Sequence, residues 1–482
     1  MEPPEHYIEL KNGKFDTDTP MENLAAIFQK LQTEKYDNKP LVIHFHGGLV
    51  NKTTGIGIAD RLRLRYATDK DVCYPLFFVW EAGLFEVIGH NLSEILSEDL
   101  FKRILKHLKR YIVSKIDQDL FDGSKGGKIA LLSDNEVNAK INANQVNLSE
   151  NALLNDDQQQ QLYDLLQSDD ALKKELAGIL VENGDETAKG LAATPVKSLV
   201  SQSFLNEIKS QIQFEPDAKG PVAIGKILWE IVKIAIAVVK RCINKTNHGI
   251  YVTIVEEILR KIYIEAIGSE IWFQMKKDTA DAFEDGDMYG GRALIKQIAA
   301  NYDPENSRRI VLIGHSTGAV YICNLLKYAD QYGLDPDIKF DVVFLAPACT
   351  FKLFSDTIKQ HEKRINKIVS FGMKDEVEIA DHMVPVIYPS SLLYFVSGLL
   401  ERNEENESFT DMPIVGMERF YKEDNVHASL PEVIHVKQFL ADKHVWSVAD
   451  EENGKGSHAM KHGDFDNDDF TLNSLGYIIS NP

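Results

Sequence analysis

RIVLIGHSTGAVYICNLLKYA, residues 309–329, is the stretch that decides the fold. It begins with IVLI, a short apolar run of the kind that forms a buried parallel strand. It ends with AVYICNLLKYA, whose apolar residues have the spacing of an amphipathic helix. The residues Gly314 to Gly318, GHSTG, therefore form a tight turn from strand to helix, and a turn this tight crowds the backbone. Small residues are needed two positions on either side of Ser316, whose oxygen projects from the turn, so the sequence predicts that Ser316 is a nucleophile.

Other roles are open to a glycine-rich turn between a strand and a helix, because it can bind a phosphate or only pack. The surrounding pattern favours a catalytic turn, since strands and helices alternate on both sides of it. We predict strands at 41–46, 74–80, 309–314, 340–347, 367–372 and 444–449, and a hairpin at Asn12-Gly13. We predict helices at 21–34, 57–67, 317–331, 353–363 and 470–479. This alternation predicts an α/β fold with a mostly parallel central sheet flanked by helices.

The alternation stops after Trp80, and helical periodicity dominates up to residue 300. We therefore predict a core formed by 1–82 and 301–482, interrupted by an all-helical insertion at 83–300. Within the insertion, 134–161 is rich in Asn and Gln and is predicted to be a loop. Helix 222–243 is apolar on most faces, which fits either a buried helix of the insertion or a mobile lid that meets a lipid surface.

Composition narrows the function classes. The formal net charge is −20, which disfavours a nucleic-acid partner because phosphates would be repelled. The N-terminal residues do not resemble a secretory signal, and no apolar run is long enough to span a bilayer. The four cysteines form no CxxC pair, so neither a zinc site nor a disulfide framework is expected. These features together predict a cytoplasmic protein.

An early strand ends in HFHGGL, residues 44–49, where backbone N–H groups can face the serine. Acyl transfer builds negative charge on a substrate oxygen, which needs preset donors. We predict that the N–H of Thr317 and that of Gly48 or Leu49 form this oxyanion hole. A plain turn with His44 and His46 packed in the core is the alternative. Metal binding by these two histidines is considered and not predicted.

HGG after an early strand, then GHSTG, then an acid and a histidine in that order resembles the α/β-hydrolase superfamily, on its esterase and lipase side. The resemblance covers roughly 40–81 and 300–482, whereas the insertion resembles no family that we can name. The tail HGDFDND is similar to that of bacterial hydrolases of this type. The acidic run DFDNDD, 464–469, is better explained as an N-cap of the last helix than as a calcium loop.

The resemblance implies an acid after strand 367–372 and a histidine before the last helix. Asp375 is the expected acid, with Glu376, Glu378 and Asp381 as rivals. His462 is the expected base in preference to His458, because Gly463 lets its loop turn back over the sheet. The candidate pocket residues near these groups are His46, Gly47, Trp80, Glu81 and His315.

The sequence thus predicts a serine hydrolase that cleaves a hydrophobic or lipid ester through an acyl-enzyme, without a cofactor or metal. Its partner would be a small-molecule or lipid ester, and the insertion is a candidate for contact with a lipid surface. A peptidase or thioesterase with the same triad, or a non-catalytic binding protein on the same fold, are the alternatives.

Overall fold

The computed structural model describes residues 5–48, 51–66, 72–80, 84–121, 128–141, 146–184, 188, 194–212, 220–384, 388–402 and 411–481. The strands are β1 (Tyr7–Lys11), β2 (Lys14–Phe15), β3 (Leu41–Phe45), β4 (Tyr74–Trp80), β5 (Ile310–His315), β6 (Phe340–Leu345), β7 (Ile365–Met373), β8 (His444–Ser447), β9 (Ala449–Asp450) and β10 (Gly456–Ser457). The six predicted strands and the hairpin at Asn12-Gly13 are therefore present, with ends that differ by at most two residues.

The core helices are α1 (Met21–Leu31), α2 (Lys52–Tyr66), α12 (Gly290–Ala300), α13 (Gly318–Gln331), α14 (Phe351–His361), α15 (Asp375–Ala380), α16 (Leu392–Phe395), α17 (Pro431–Leu440) and α18 (Asp469–Ser480). The insertion contains α3 (Leu84–Ser97), α4 (Asp99–Phe121), α5 (Asp134–Lys140), α6 (Asp156–Gln167), α7 (Asp170–Glu182), α8 (Gln202–Ile212), α9 (Gly220–Ile243), α10 (Ile250–Ile262) and α11 (Ser269–Asp281). The α/β class predicted from the sequence is confirmed.

The central sheet has the strand order β2-β1-β4-β3-β5-β6-β7-β8, and all neighbouring pairs are parallel except β1 and β2. The chain passes from β3 to β4 on one side and from β5 to β6 on the other. Between β3 and β5 the winding direction therefore reverses, and in open α/β sheets ligands bind outside the carboxyl ends of the strands at such a point. Ser316 directly follows β5, and Gly47 comes two residues after the end of β3.

The two faces of the sheet have separate apolar cores. One face packs side chains such as Leu41, Ile43 and Phe45 against α1, α12, α13, α14 and α17. The other face packs Val42 and Val311 against α2 and α18. The period of two along β3 explains the alternation, because successive side chains point to opposite faces. Both layers hold the central strands rigidly below the switch point.

The helical insertion starts after β4 and meets the core again at α11. Helix α11 packs against α13, the helix that follows Ser316, and Asn324 Nδ2 donates to Thr279 Oγ1 at 2.9 Å. The predicted insertion ended at residue 300, but α12 packs against α1 and α13. The structure therefore places this last helix of the predicted range with the core.

One expectation for the insertion is wrong, and packing decides between the two interpretations of another. Segment 134–161 was predicted as a loop, yet it contains α5 and the first half of α6. Both helices begin with a capping box, at Ser133 and at Asn155, so the polar residues that suggested a loop serve as caps. Helix 222–243, interpreted from the sequence either as a buried helix of the insertion or as a mobile lid, lies within α9, which packs against α4, α6, α7, α8 and α10. Its side chains such as Leu228 and Ile231 are fully buried, in agreement with the alternative of a buried helix.

The helices of the described ranges differ in length and in apolar character. None of these helices combines the length and apolar character that a transmembrane span requires.

Candidate active site

Ser316 occupies a strained turn between β5 and α13. Its φ of 54° lies in the left-handed region, which costs a residue with a side chain about 1–2 kcal/mol. The turn is fixed on both sides, because the Ser316 N–H donates to the Leu345 carbonyl at 2.8 Å and its carbonyl accepts from the Ala348 N–H at 3.1 Å. Strain of this kind persists only where the surroundings enforce it, and such sites are often functional.

The two glycines of GHSTG are required because a side chain at either position would clash with neighbouring backbone atoms. A Cβ on Gly314 would lie 2.7 Å from the carbonyl carbon of Gly318, and a Cβ on Gly318 would lie 2.1 Å from the Phe45 oxygen. Both distances are shorter than real Cβ contacts allow. The small residues at these positions therefore allow the strand, the turn and the start of α13 to approach one another, as the sequence predicted.

The Ser316 side chain is buried and its Oγ has no hydrogen-bond partner. The Thr317 Oγ1 beside it is also buried without a partner. The Thr317 N–H lies at the start of α13, where no preceding helical turn can accept it. Gly48 lies close to Thr317, since a Cβ built on Gly48 would be 3.1 Å from Thr317 Oγ1. The predicted oxyanion loop thus approaches the serine turn; Leu49, the other predicted donor, lies outside the described residues.

His462 begins a short 3₁₀ turn, His462–Asp464, and is buried. Its N–H donates to Asp381 Oδ2 at 2.8 Å, and its carbonyl accepts from His315 Nε2 at 3.0 Å. Neither ring nitrogen has a hydrogen-bond partner, so the ring is bonded neither to Ser316 nor to an acid. Burial, and then the nearby charge of His315, hold the pKa of His462 well below its ordinary value, while Asp466 opposes this. The ring is neutral near pH 7, which a general base requires.

His315 connects the serine turn to the His462 loop. The two imidazole rings stack with their centroids 5.3 Å apart. The Nδ1 of His315 lies 3.6 Å from Asp466 Oδ2, and Arg61 Nη2 lies 3.3 Å from Asp466 Oδ1. Burial opposes ionisation of Asp466, yet the hydrogen bond with His315 and the charges around it hold its pKa below the ordinary value.

Asp466 was not predicted as a site residue. The run DFDNDD was assigned to capping, and Asp468 does cap α18 by accepting from the Thr471 N–H at 2.8 Å. Asp466, two residues earlier, instead points inward and is buried. The only sequence signal was its position four residues after His462, which places both in the same short loop.

Asp375 was the expected acid, and the structure bonds it to other groups. Its Oδ1 accepts from the Tyr394 hydroxyl at 2.7 Å, and its Oδ2 lies 3.0 Å from Lys422 Nζ. The carboxylate is thus held away from the unpartnered His462 ring by an ion pair that sequence spacing does not show. Of the rivals, Asp381 is the one that contacts His462. Glu376 is exposed, and burial raises the pKa of Glu378, which accepts from Ser391 Oγ.

His458, the rival base, is not part of this cluster. Its Nε2 is paired with Asp450 Oδ1 at 2.5 Å, and its ring stacks on Phe470. It is partly exposed beside α18. The structure therefore brings His462, and not His458, next to the residue that precedes Ser316.

The remaining histidines line the inner side of the cluster. His44 Nδ1 is bonded to the Tyr66 hydroxyl at 3.0 Å, and burial lowers the pKa of His44 to about 3. His46 Nε2 accepts from the Trp80 N–H at 3.0 Å, and burial lowers its pKa to about 4. The Trp80 ring stacks on His46 at 4.4 Å. Both histidines are thus packed residues, while Glu81 lies outside the described residues.

The insertion covers the site through Met275 of α11. A Cβ on Gly48 would lie 2.0 Å from the Met275 sulfur, so the thioether rests directly on the predicted oxyanion glycine. Helix α11 is fastened there by Glu401, which accepts from Trp272 Nε1 at 3.0 Å and pairs with Lys276 Nζ at 2.7 Å. Ser316 is 1% exposed beneath this cover.

Searches for similar proteins and for a metal centre gave no match. Neither a protein-family model, nor a curated protein, nor a solved structure matches the chain. Among the residues that the structure describes, no group of three His, Cys, Asp or Glu side chains is arranged to hold a metal ion.

Proposed function

We propose that the protein is a serine hydrolase of the α/β-hydrolase type that cleaves an ester or another acyl bond. The observation that carries this proposal is the state of Ser316: a left-handed residue in a sharp strand-to-helix turn at the switch point of the sheet, with a buried and unpartnered Oγ. A structural serine gains nothing from this strain, and most buried hydroxyls in proteins are hydrogen bonded.

In the proposed reaction, Ser316 Oγ attacks the acyl carbon and His462 takes its proton. The N–H groups of Thr317 and Gly48 hold the oxyanion, and the alcohol leaves with the proton from His462. Water then hydrolyses the acyl-enzyme by the same steps in reverse. Ser316 and His462 do not share a hydrogen bond in the free protein, and such bonds often form only when substrate is bound.

An apolar acyl group suits the cover over the site. Met275 lies on Gly48, so an acyl chain whose oxygen reaches the oxyanion hole takes the place of a thioether. Met is unbranched and adaptable, which suits a side chain that must move aside. We propose a hydrophobic carboxylic ester, including lipid esters; a peptide or thioester would use the same groups.

A non-catalytic binding protein is the second candidate, and the burial of Ser316 favours it. A serine that is 1% exposed beneath α11 cannot meet a substrate unless the cover moves. The two candidates differ in whether Ser316 reacts, so one experiment separates them.

The test is labelling with a fluorophosphonate, which reacts with activated serines. We expect stoichiometric labelling of the wild-type protein, lost in Ser316→Ala. Ser370→Ala is the matched control, because Ser370 is also buried with an unpartnered Oγ but lies in the regular strand β7. Labelling that persists in Ser316→Ala, or a folded wild-type protein that stays unlabelled after prolonged incubation, would contradict the proposal.

A further inference from the structure

His315 lies between two acceptors, one on each ring nitrogen. Its Nε2 is 3.0 Å from the His462 carbonyl oxygen and its Nδ1 is 3.6 Å from Asp466 Oδ2. A neutral imidazole has a single N–H, and its other nitrogen would then present a lone pair to a carbonyl or a carboxylate. The protonated ring donates from both nitrogens. The geometry therefore brings His315 into contact with both the His462 carbonyl and the Asp466 carboxylate.

The pair of His315 and Asp466 is buried, and a third side chain binds its carboxylate. His315 and Asp466 are both less than a tenth exposed. Arg61 of α2 binds the carboxylate at 3.3 Å and the Asp466 carbonyl at 3.2 Å, both through Nη2. The chain of contacts thus runs from Arg61 through Asp466 and His315 to the backbone of His462.

We propose that the ion pair of His315 and Asp466 forms a positioning unit for His462, which keeps the base in place and unprotonated. The proposal rests on the proposed function and deepens it, since it assigns the control of the base to a pair outside the expected acid position. The carbonyl contact fixes the loop that carries the ring. The cation, whose ring centroid is 5.3 Å from that of His462, disfavours a second positive charge there.

Other charged groups lie near His462, but they contact it differently from the pair of His315 and Asp466. Further titratable and charged groups near this cluster, among the residues that the structure describes, are His44 on β3, His46 just after β3, Arg61 on α2, Asp381 after α15, Lys461 before the His462 turn and Asp464 in it. Burial gives His44 and His46 low pKa values, so they are neutral near pH 7. Asp381 binds the His462 N–H and not its ring. The direction of the His462 pKa, lowered by burial and by His315, agrees with the proposal.

The experiment measures the rate constant of fluorophosphonate labelling across about pH 4 to 9, which reports the protonation of the free base. His315→Gln removes the charge, while the amide can still donate to the His462 carbonyl. We expect its acidic limb to move to higher pH by about one unit.

His361→Gln is the control, since His361 is a buried histidine that pairs with Asp330, an exposed carboxylate, at 2.5 Å between the C-terminal ends of α13 and α14. Its pH profile should equal that of the wild type. A rate that falls equally at every pH in His315→Gln, with the limb unmoved, would overturn the proposal and leave His315 a structural residue.

A second readout does not depend on catalysis. The His462 ring is followed by NMR of ¹⁵N-histidine-labelled protein, with His462→Ala for assignment. The titration of the His462 ring should move to higher pH in His315→Gln, and an unchanged titration would also overturn the proposed role of His315. If the wild type carries no label on Ser316 while the titration shifts as expected, the proposed function fails and the electrostatic effect stands.

Discussion

Two buried polar clusters in this molecule are built in opposite ways. The seam network, defined here as Arg241, His248, Glu256 and Asp411, joins the insertion to the core. His248 binds Glu256 at 2.7 Å through Nδ1 and Asp411 at 2.8 Å through Nε2, and Arg241 Nη1 binds Glu256 at 2.6 Å. The Tyr388 hydroxyl also donates to Glu256 Oε1, and Arg419 Nη2 donates to Asp411 Oδ2, the remaining carboxylate oxygen.

The cluster around Ser316 is as deeply buried, but several of its polar atoms have no hydrogen-bond partner. Ser316 Oγ, Thr317 Oγ1 and both ring nitrogens of His462 have no hydrogen-bond partner. Leaving buried polar atoms unpaired costs stability, so proteins tolerate it mainly where a ligand or reaction uses those atoms. The comparison separates a joint whose carboxylates are satisfied from a turn in which unpartnered polar atoms and a strained φ coincide, and it is this strain that distinguishes Ser316 from buried unpartnered residues such as Ser370.

Loss of the base should have the largest effect. His462→Ala is expected to lower the rate of fluorophosphonate labelling by at least about 10³-fold, because the serine then lacks a proton acceptor. His458→Ala should keep most of the rate, since His458 pairs with Asp450 outside the cluster. If the two variants exchange these results, the base is assigned wrongly.

Breaking the seam network should instead cost stability. Glu256→Gln leaves Arg241 and His248 without their shared carboxylate, and loss of one partner of a buried ion pair costs about 3–5 kcal/mol of unfolding free energy. Glu207→Gln is the control, because its pair with Lys261 is exposed and worth at most about 1 kcal/mol. Denaturant unfolding measures both. An equal effect of the two variants would show that the network is not a structural joint.

The same network predicts a pH dependence. Burial opposes ionisation of Glu256, but His248 and Arg241 lower its pKa from 4.5 to about 2. A carboxyl whose folded-state pKa is depressed stabilises the protein above its unfolded pKa, and this contribution is lost as the pH falls from about 4.5 towards 2. The loss of stability over this range should be smaller in Glu256→Gln than in the wild type, as followed by denaturant unfolding at each pH.

Substitution of the two candidate acids should have different effects: loss of Asp381 should lower activity, and loss of Asp375 should lower stability. Asp381→Ala frees the His462 N–H and should slow labelling by up to about 100-fold through misplacement of the ring. Asp375→Ala should mainly lower the unfolding free energy, because Tyr394 and Lys422 lose their partner. Labelling of each folded variant, beside its unfolding curve, decides between them. A larger activity loss in Asp375→Ala would restore the acid expected from the sequence.

The strands and the serine turn were predictable because local patterns determine them. The IVLI run and the glycines of GHSTG are enough to predict β5 and its turn, although Leu345 and Ala348 hold the turn in the folded chain. The role of Asp375 was not predictable, because its partners Tyr394 and Lys422 come from segments that only the folded chain brings together. The same holds for Met275, which reaches Gly48 from more than two hundred residues away. An apolar helix such as α9 looks alike in a lid and in a bundle core, so packing alone could assign it.

The smallest predicted effect concerns the strain at Ser316. Ser316→Gly removes a side chain from a left-handed residue, which relieves about 1–2 kcal/mol, and it also removes a buried unpartnered hydroxyl. The added freedom of glycine in the unfolded chain returns part of this gain, about 0.5–1 kcal/mol. We therefore expect a net stabilisation of about 1 kcal/mol together with complete loss of labelling.

Two comparisons sharpen this result. Ser316→Ala keeps the strained φ and should gain less than Ser316→Gly. Ser370→Gly, at a buried serine in the regular strand β7, should lose about 1 kcal/mol, because glycine weakens a strand and relieves no strain there. Denaturant midpoints of the three variants and the wild type measure the order. If Ser316→Gly is destabilised as much as Ser370→Gly, the turn at Ser316 stores no strain, and the observation that carries the proposed function loses its energetic basis.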